Sequence, residues 1–183
     1  MIEAVEAVRQ RALRATRALS EAGIPYAVTG GNAVAAWVAR VDRAAVRNTQ
    51  DVDILVRRSD LTAVRIALEG AGFYYREILG VVCFLETPES HPRDAVHLLF
   101  ASENVKPNDL APTANIDERI TAEDYEIIDL EPLVRMKLTS FRDKDRTHLR
   151  DLISIGLIDF NWPSKFPQAL ADRLQQILDD SNG

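Results

Sequence analysis

Val28-Thr29-Gly30-Gly31-Asn32-Ala33, followed later by Arg47-Asn48-Thr49-Gln50-Asp51-Val52-Asp53-Ile54-Leu55, decides how the rest of the chain is read. Residues 24–29 read as a short strand running into the diglycine turn, and residues 33–39 have the alanine-rich content of a helix. The glycines therefore stand at a strand-to-helix junction. No side chain obstructs a phosphate there, and the helix beyond offers unpaired N–H groups and a positive dipole end. Asp51 and Asp53 occupy alternate positions of an apolar strand, residues 51–56, so their side chains face the same way. Such a pair suits Mg²⁺ held against a triphosphate, because a hard cation prefers oxygen ligands.

Outward from this segment the pattern mixes helices and strands. Val5, Val8, Ala12, Ala15 and Leu19 recur at steps of three and four, which predicts an amphipathic helix over 2–21, stopped by Gly23. Ser59 or Asp60 can cap a helix over 61–69 that ends at Gly70 and Gly72. Strands are expected over 73–75, 81–85 and 95–101, with a late one over 125–130. Pro132 opens a helix to about residue 142, another spans about 145–155, and Leu170, Leu174, Ile177 and Leu178 mark a last one. The fold class is α+β, a mixed β-sheet core over about 24–130 flanked by helices, with a helical region over about 131–180. A single domain over 1–183 is expected from the length. The least ordered stretches are expected at 86–93, 105–115 and the last few residues.

Composition narrows the classes of function. A net charge of −6 argues against a broad electrostatic grip on duplex nucleic acid, which relies on clustered Lys and Arg. Aromatic residues make up only 7% and are not set among basic ones as a stacking platform requires. The single Cys83, within Val81-Val82-Cys83-Phe84-Leu85, rules out an intramolecular disulfide and reads as a buried small hydrophobe, which fits a reducing cytoplasm. No apolar run is long enough to span a bilayer, and the N-terminal segment has no signal-peptide character. Zinc-type Cys/His spacing, an esterase Gly-x-Ser-x-Gly and a Walker glycine loop are all absent from the sequence.

The ordered series Gly30, Gly31, Arg47, Thr49, Asp51 and Asp53 resembles the nucleotidyltransferases of the DNA polymerase β-like superfamily, in particular the minimal and abortive-infection types. Leu133-Val134-Arg135-Met136-Lys137-Leu138, Lys144-Asp145 and Leu149-Arg150-Asp151-Leu152 are similar to their helical part, so the resemblance spans about residues 24–158. It implies a nucleotidyltransferase core, an NTP substrate, and Mg²⁺ or Mn²⁺ held by Asp51 and Asp53 as metal ligands and catalytic carboxylates. Gly30, Gly31, Arg47, Thr49 and Lys137 are the nucleotide-binding candidates. The Thr49 hydroxyl can orient a carboxylate, and the Arg47 guanidinium can meet phosphate oxygens or serve as an ordinary surface cation. Lys137, between apolar Met136 and Leu138, either leans its ammonium over the triphosphate or snorkels from a packed stripe, while Arg135 projects from a different face.

One position departs from the family pattern. The slot where active members carry a third acidic residue is Val96-His97-Leu98, and strand alternation keeps Asp94 off the face that His97 occupies. His97 is the third catalytic candidate, as a general base, since an imidazole with a reference pKa near 6.5 suits proton abstraction. It equally fits lost activity or a core histidine. Two functions follow: transfer of an NMP from an NTP to a hydroxyl of a small molecule, a protein or an RNA end, or a catalytically degenerate binding or regulatory protein. The latter would act as half of a toxin–antitoxin-like pair, through a protein partner or a homo-oligomer. His148, three residues before Asp151 on a charged helix, is placed to pair with it.

Overall fold

The computed structural model describes residues 2–180. Its elements run α1 (Ile2–Glu21), β1 (Tyr26–Thr29), α2 (Gly30–Ala39), β2 (Val52–Val56), α3 (Leu61–Gly70), β3 (Tyr74–Ile78), β4 (Val81–Leu85), β5 (Val96–Phe100), β6 (Arg119–Thr121), β7 (Glu126–Ile128), α4 (Leu130–Ser140), α5 (Asp143–Ser154) and α6 (Gln168–Asp180). The strands form one sheet in the order β3-β4-β5-β2-β1-β7-β6. It is a mixed sheet: β2 runs parallel to β5 and β1 parallel to β7, while every other neighbouring pair is antiparallel. The α+β class expected from the sequence is the architecture observed.

Alternation along the central strands sorts the helices onto two faces. Val52, Ile54 and Val56 of β2 point with Val28, Val96 and Leu98 to one face, where Ala12, Ala15 and Leu19 of α1 and Val64 and Leu68 of α3 cover them. Ala27 and Leu55 point to the other, against Val34 of α2, Leu133 and Leu138 of α4, Leu149 and Leu152 of α5, and Leu174 of α6. Burying one such side chain contributes about 1.5–3 kcal/mol as an upper estimate, against at most about 0.7 kcal/mol separating ordinary residues in helix propensity. Packing on the sheet therefore sets where α4 and α5 lie.

Several boundaries differ from the sequence expectation, each for a local reason. Helix α2 begins at Gly30 instead of residue 33, because Gly30 turns the corner itself with φ of +63°. Helix α4 starts at residue 130, where the Asp129 carboxylate accepts from the Leu130 amide at 2.7 Å. Strand β6 was not foreseen: its three residues hold a single apolar side chain, Ile120, too few to show a period, and pairing with β7 defines it. The 105–115 stretch, expected to be loosely held, is tied at its end to the residues after β5 through Ser102 N–H to Ala114 O (3.0 Å) and Thr113 N–H to Glu103 O (2.9 Å), burying Ala114.

Candidate active site

Register places the decisive side chains in one row across the sheet. Thr29 of β1 lies opposite Asp53 of β2, Asp53 opposite His97 of β5, and His97 opposite Cys83 of β4. Cα partners share a face, so the row lies on the α4–α5 side. Helix α2 crosses β1, β2 and β7, and α4 and α5 pack against α2. Beyond them, over β5 and β4, opens a cavity of about 530 Å³. Asp51, Asp53 and His97 line it, and one donor atom from each lies within 4.8 Å of the other two. Cys83, the last of the row, is buried against Leu85 and Ala95 as the sequence suggested.

The two glycines make room for side chains of the Asp-x-Asp segment, a carboxylate at Gly30 and a hydroxyl at Gly31. A Cβ added at Gly30 would stand 2.0 Å from Asp53 Oδ2, and one at Gly31 would stand 2.9 Å from Thr49 Oγ1. The diglycine turn and the Asp-x-Asp strand are thus two halves of one packing solution. Gly30→Ala is expected to lower stability by about 1–2 kcal/mol through the left-handed backbone alone, and to displace the Asp53 carboxylate. Thermal melting checks the first effect, and a crystal structure of the variant checks the second.

The carboxylates are held differently. Asp51 Oδ1 accepts from the Thr49 hydroxyl at 2.7 Å, and Asp51 Oδ2 lies 3.7 Å from Lys144 Nζ. Burial pushes the Asp51 carboxyl up, but the Thr49 hydrogen bond and the Lys144 charge outweigh it, and the group ionises below its ordinary range. Asp53 goes the other way, raised first by burial and then by the neighbouring Asp51 charge. Backbone clamps fix the approach to both: Asn32 Nδ2 donates to Asp51 O at 2.7 Å, and the buried Arg11 donates from Nη1 to Gln50 O at 2.9 Å. Two carboxylates kept this close, one with its charge disfavoured, fit a divalent cation as third party.

Cations face this acidic pair from the helical side. Lys137, Arg142 and Lys144 all line the cavity. Phe141, in the left-handed conformation (φ 48°, ψ 31°), turns the chain between α4 and α5, so that Lys137 precedes the corner and Lys144 follows it. Lys137 is buried and pairs with the fully buried Asp145 at 3.2 Å; Asp145 also accepts from Ser140 Oγ at 2.6 Å and Arg142 Nε at 2.8 Å. Burial raises Asp145, yet Arg142, Lys137 and Ser140 together bring its carboxyl down to about 2. Burial lowers the Lys137 ammonium by more than Asp145 restores. The pair as a whole owes its favourable balance to the several donors on Asp145, not to the lysine.

The sequence candidates are not all gathered here. Gly30, Asp51, Asp53, His97 and Lys137 line the cavity, while Gly31 and Thr49 stand behind it as support for Asp51. Arg47 is not brought in; its Nε donates to both Asp151 oxygens at 2.9 and 2.8 Å, and it borders a separate hollow of about 350 Å³ beside α1 and α2. Arg135 bonds Glu118 at 2.6 Å. Sequence reading overlooked Arg142, Lys144 and Asp145 as site residues. Their spacing from Lys137 across a presumed helix end concealed that one corner would bring them together.

The anticipated His148–Asp151 pair does not form, since Asp151 is taken by Arg47 and His148 Nδ1 is buried with no hydrogen-bond partner among the described residues. Burial first, then the Lys137 charge, hold this imidazole down to about 4, with Asp145 and Asp151 opposing and Lys144 assisting. A depressed folded value means that the neutral ring's contribution is complete above about pH 6.5 and is lost as pH falls through about 4. Unfolding free energy should therefore fall across that window. His148→Gln should flatten this limb, which denaturant melts at a series of pH values will test.

By sequence, no known family model matches the chain, and no curated protein matches it. By structure, it is similar to an antigenic nucleotidyltransferase-like protein from Paracoccidioides brasiliensis, with a TM-score of 0.63 at 18% identity, over 97% of this chain and 89% of that one. A more distant likeness is to the antibiotic-resistance factor ANT(2″)-Ia, solved in complex with adenylyl-2″-tobramycin, with a TM-score of 0.47 at 14% identity over 97% of each chain. The fold is that of the nucleotidyltransferase-like protein from Paracoccidioides brasiliensis. No helix among the described residues is long and apolar enough to cross a membrane.

Proposed function

We propose that this protein is a divalent-metal-dependent nucleotidyltransferase that moves an NMP from an NTP to a hydroxyl acceptor. The observation that carries the reading is the convergence of Asp51, Asp53 and His97 in a cavity of about 530 Å³, bordered by the Gly30 turn and by Lys137, Arg142 and Lys144. The volume falls within the usual range of small-molecule sites, roughly 300–1,000 Å³.

Asp51 and Asp53 would hold Mg²⁺ or Mn²⁺, and a bound dication supplies Lewis-acid stabilisation of the charge that grows on phosphate oxygens during transfer. Thr49 keeps the Asp51 carboxylate aimed. Lys144, half exposed and only loosely associated with Asp51, is the cation best placed to shift its charge onto a phosphate. Lys137, buried and paired with Asp145, lines the same cavity and ties the end of α4 to the start of α5 beside it. The open side over β4 leaves space for an acceptor, which on this reading is a small molecule, a protein hydroxyl or an RNA end.

Pyrophosphate release, followed with each NTP, Mg²⁺ or Mn²⁺ and mixed acceptors, tests the proposal; turnover with at least one nucleotide is expected. His97 in the third-carboxylate slot favours one alternative, a degenerate nucleotide-binding or regulatory protein, with a partner chain in a toxin–antitoxin-like arrangement. That alternative predicts saturable NTP binding with no pyrophosphate under any condition.

A further inference from the structure

We propose that His97 is a metal ligand through Nδ1, and that this ligand turns the ion preference of the Asp51–Asp53 site from Mg²⁺ toward first-row transition dications, for which Mn²⁺ is the probe. The inference rests on reading Asp51 and Asp53 as a metal-binding pair. It adds the third ligand and the class of ion.

Three features of the structure converge on His97. Its Nε2 lies 2.9 Å from the Pro92 carbonyl oxygen, which can only accept, so Nε2 carries the hydrogen. In the neutral ring the lone pair then sits on Nδ1. That atom faces Asp53 Oδ1 at 3.7 Å, too far for a hydrogen bond. Bonds of about 2.1 Å to a shared ion keep neighbouring donors roughly 3–4 Å apart. Finally, a backbone carbonyl on the far nitrogen is the usual outer partner of a metal-bound histidine, fixing both tautomer and ring orientation. The Pro92 carbonyl is itself held in place: it also accepts the Ala95 amide at 3.3 Å, closing the short 3₁₀ segment Pro92–Asp94, whose N-cap His91 accepts the Arg93 amide through Nδ1.

The donor chemistry then sets the ion. Mg²⁺ takes carboxylate, phosphate and water oxygens and dehydrates reluctantly, whereas imidazole suits the first-row transition ions, increasingly so toward the later ones; Mn²⁺ stands at the weak end of that series and shares the oxygen preference of Mg²⁺, which makes it a stringent reporter of an added nitrogen ligand. A third carboxylate at this position would favour the hard ion. The same lone pair cannot ligate a metal and abstract a proton, so His97 is not the general base.

The test reads the metal itself. Mn²⁺ bound to the unaltered protein should show nitrogen coupling in pulsed electron paramagnetic resonance, and the coupling should change isotope pattern when the chain's three histidines are made with ¹⁵N. It should vanish in His97→Gln and persist in His91→Gln. By calorimetry, His97→Asp should narrow the preference for Mn²⁺ over Mg²⁺ by about tenfold or more. Mn²⁺ whose binding depends on Asp51 but which shows no nitrogen coupling overturns the proposal while leaving the nucleotidyltransferase reading intact. Nitrogen-coupled Mn²⁺ in a protein without pyrophosphate release supports the ligand assignment and counts against transfer instead. If no Mn²⁺ binds, both fall.

Discussion

Asp51→Asn should abolish nucleotidyl transfer, lowering turnover about 10²–10³-fold or more, while leaving the melting temperature within a few degrees of the parent. The asparagine retains an oxygen for the Thr49 hydroxyl, so the local hydrogen bond survives. What is lost is attraction to Lys144, a half-exposed partner at 3.7 Å, and such pairs are worth about 1 kcal/mol or less. Asp53→Asn should be equally inactive and at least as stable, because its carboxyl is disfavoured by burial and by the Asp51 charge. Activity and stability therefore part company at these two positions, as they do where charge is gathered for function. Pyrophosphate release and thermal melts on the two variants measure both sides. If Asp51→Asn turns over like the parent, the proposed function fails.

The second large effect is structural. Asp145→Ala should destabilise the protein by about 3–5 kcal/mol, because it strands the buried Lys137 ammonium and removes the acceptor of Ser140 and Arg142. For a chain of this length, that corresponds to a fall of roughly 10 °C or more in melting temperature. Lys137→Met should cost much less, since Asp145 keeps its other donors and the lysine is held at a charge state burial opposes. In the parent, the folded value of about 2 for Asp145 lies below that of an ordinary carboxyl, so its contribution is present above about pH 4. Acidification through pH 2 removes it. Denaturant melts of both variants at neutral pH, compared with the parent across the acid range, decide the matter.

What the sequence made legible was periodic or local. The α1 stripe, the β2 alternation and the glycine corner each follow from side-chain order over a few residues, and all three are present, although Val5 of the stripe is exposed, β2 begins one residue later and α2 three residues earlier than expected. Asp51 and Asp53 could be paired in advance because a strand alternates. That His97 would lie directly beside Asp53 depended on β2 and β5 being parallel neighbours in one register, which no local pattern encodes. Arg47 shows the opposite case. Its place in a motif suggested phosphate, but Asp151, distant in the chain, claims its guanidinium. The same long-range packing delivered Lys144 and Asp145, whose relation to Lys137 hinges on the left-handed Phe141. Gly30 was read correctly as needing to be bare and incompletely as to why, since the atom it spares is Asp53 Oδ2.

The β3–β4 hairpin hangs from the sheet by a ladder of only two register pairs to β5, Cys83 with His97 and Phe84 with Val96, and its tip carries the fully exposed Leu79 beside Gly80 at the mouth of the cavity. The chemistry is anchored on the interior strands, while this outer flap forms one wall of the entrance. The flap's tip can therefore be lengthened, trimmed or recoloured while the acid row stays undisturbed, and under the proposed function that is where a change of acceptor would be sought without touching the metal-binding strands.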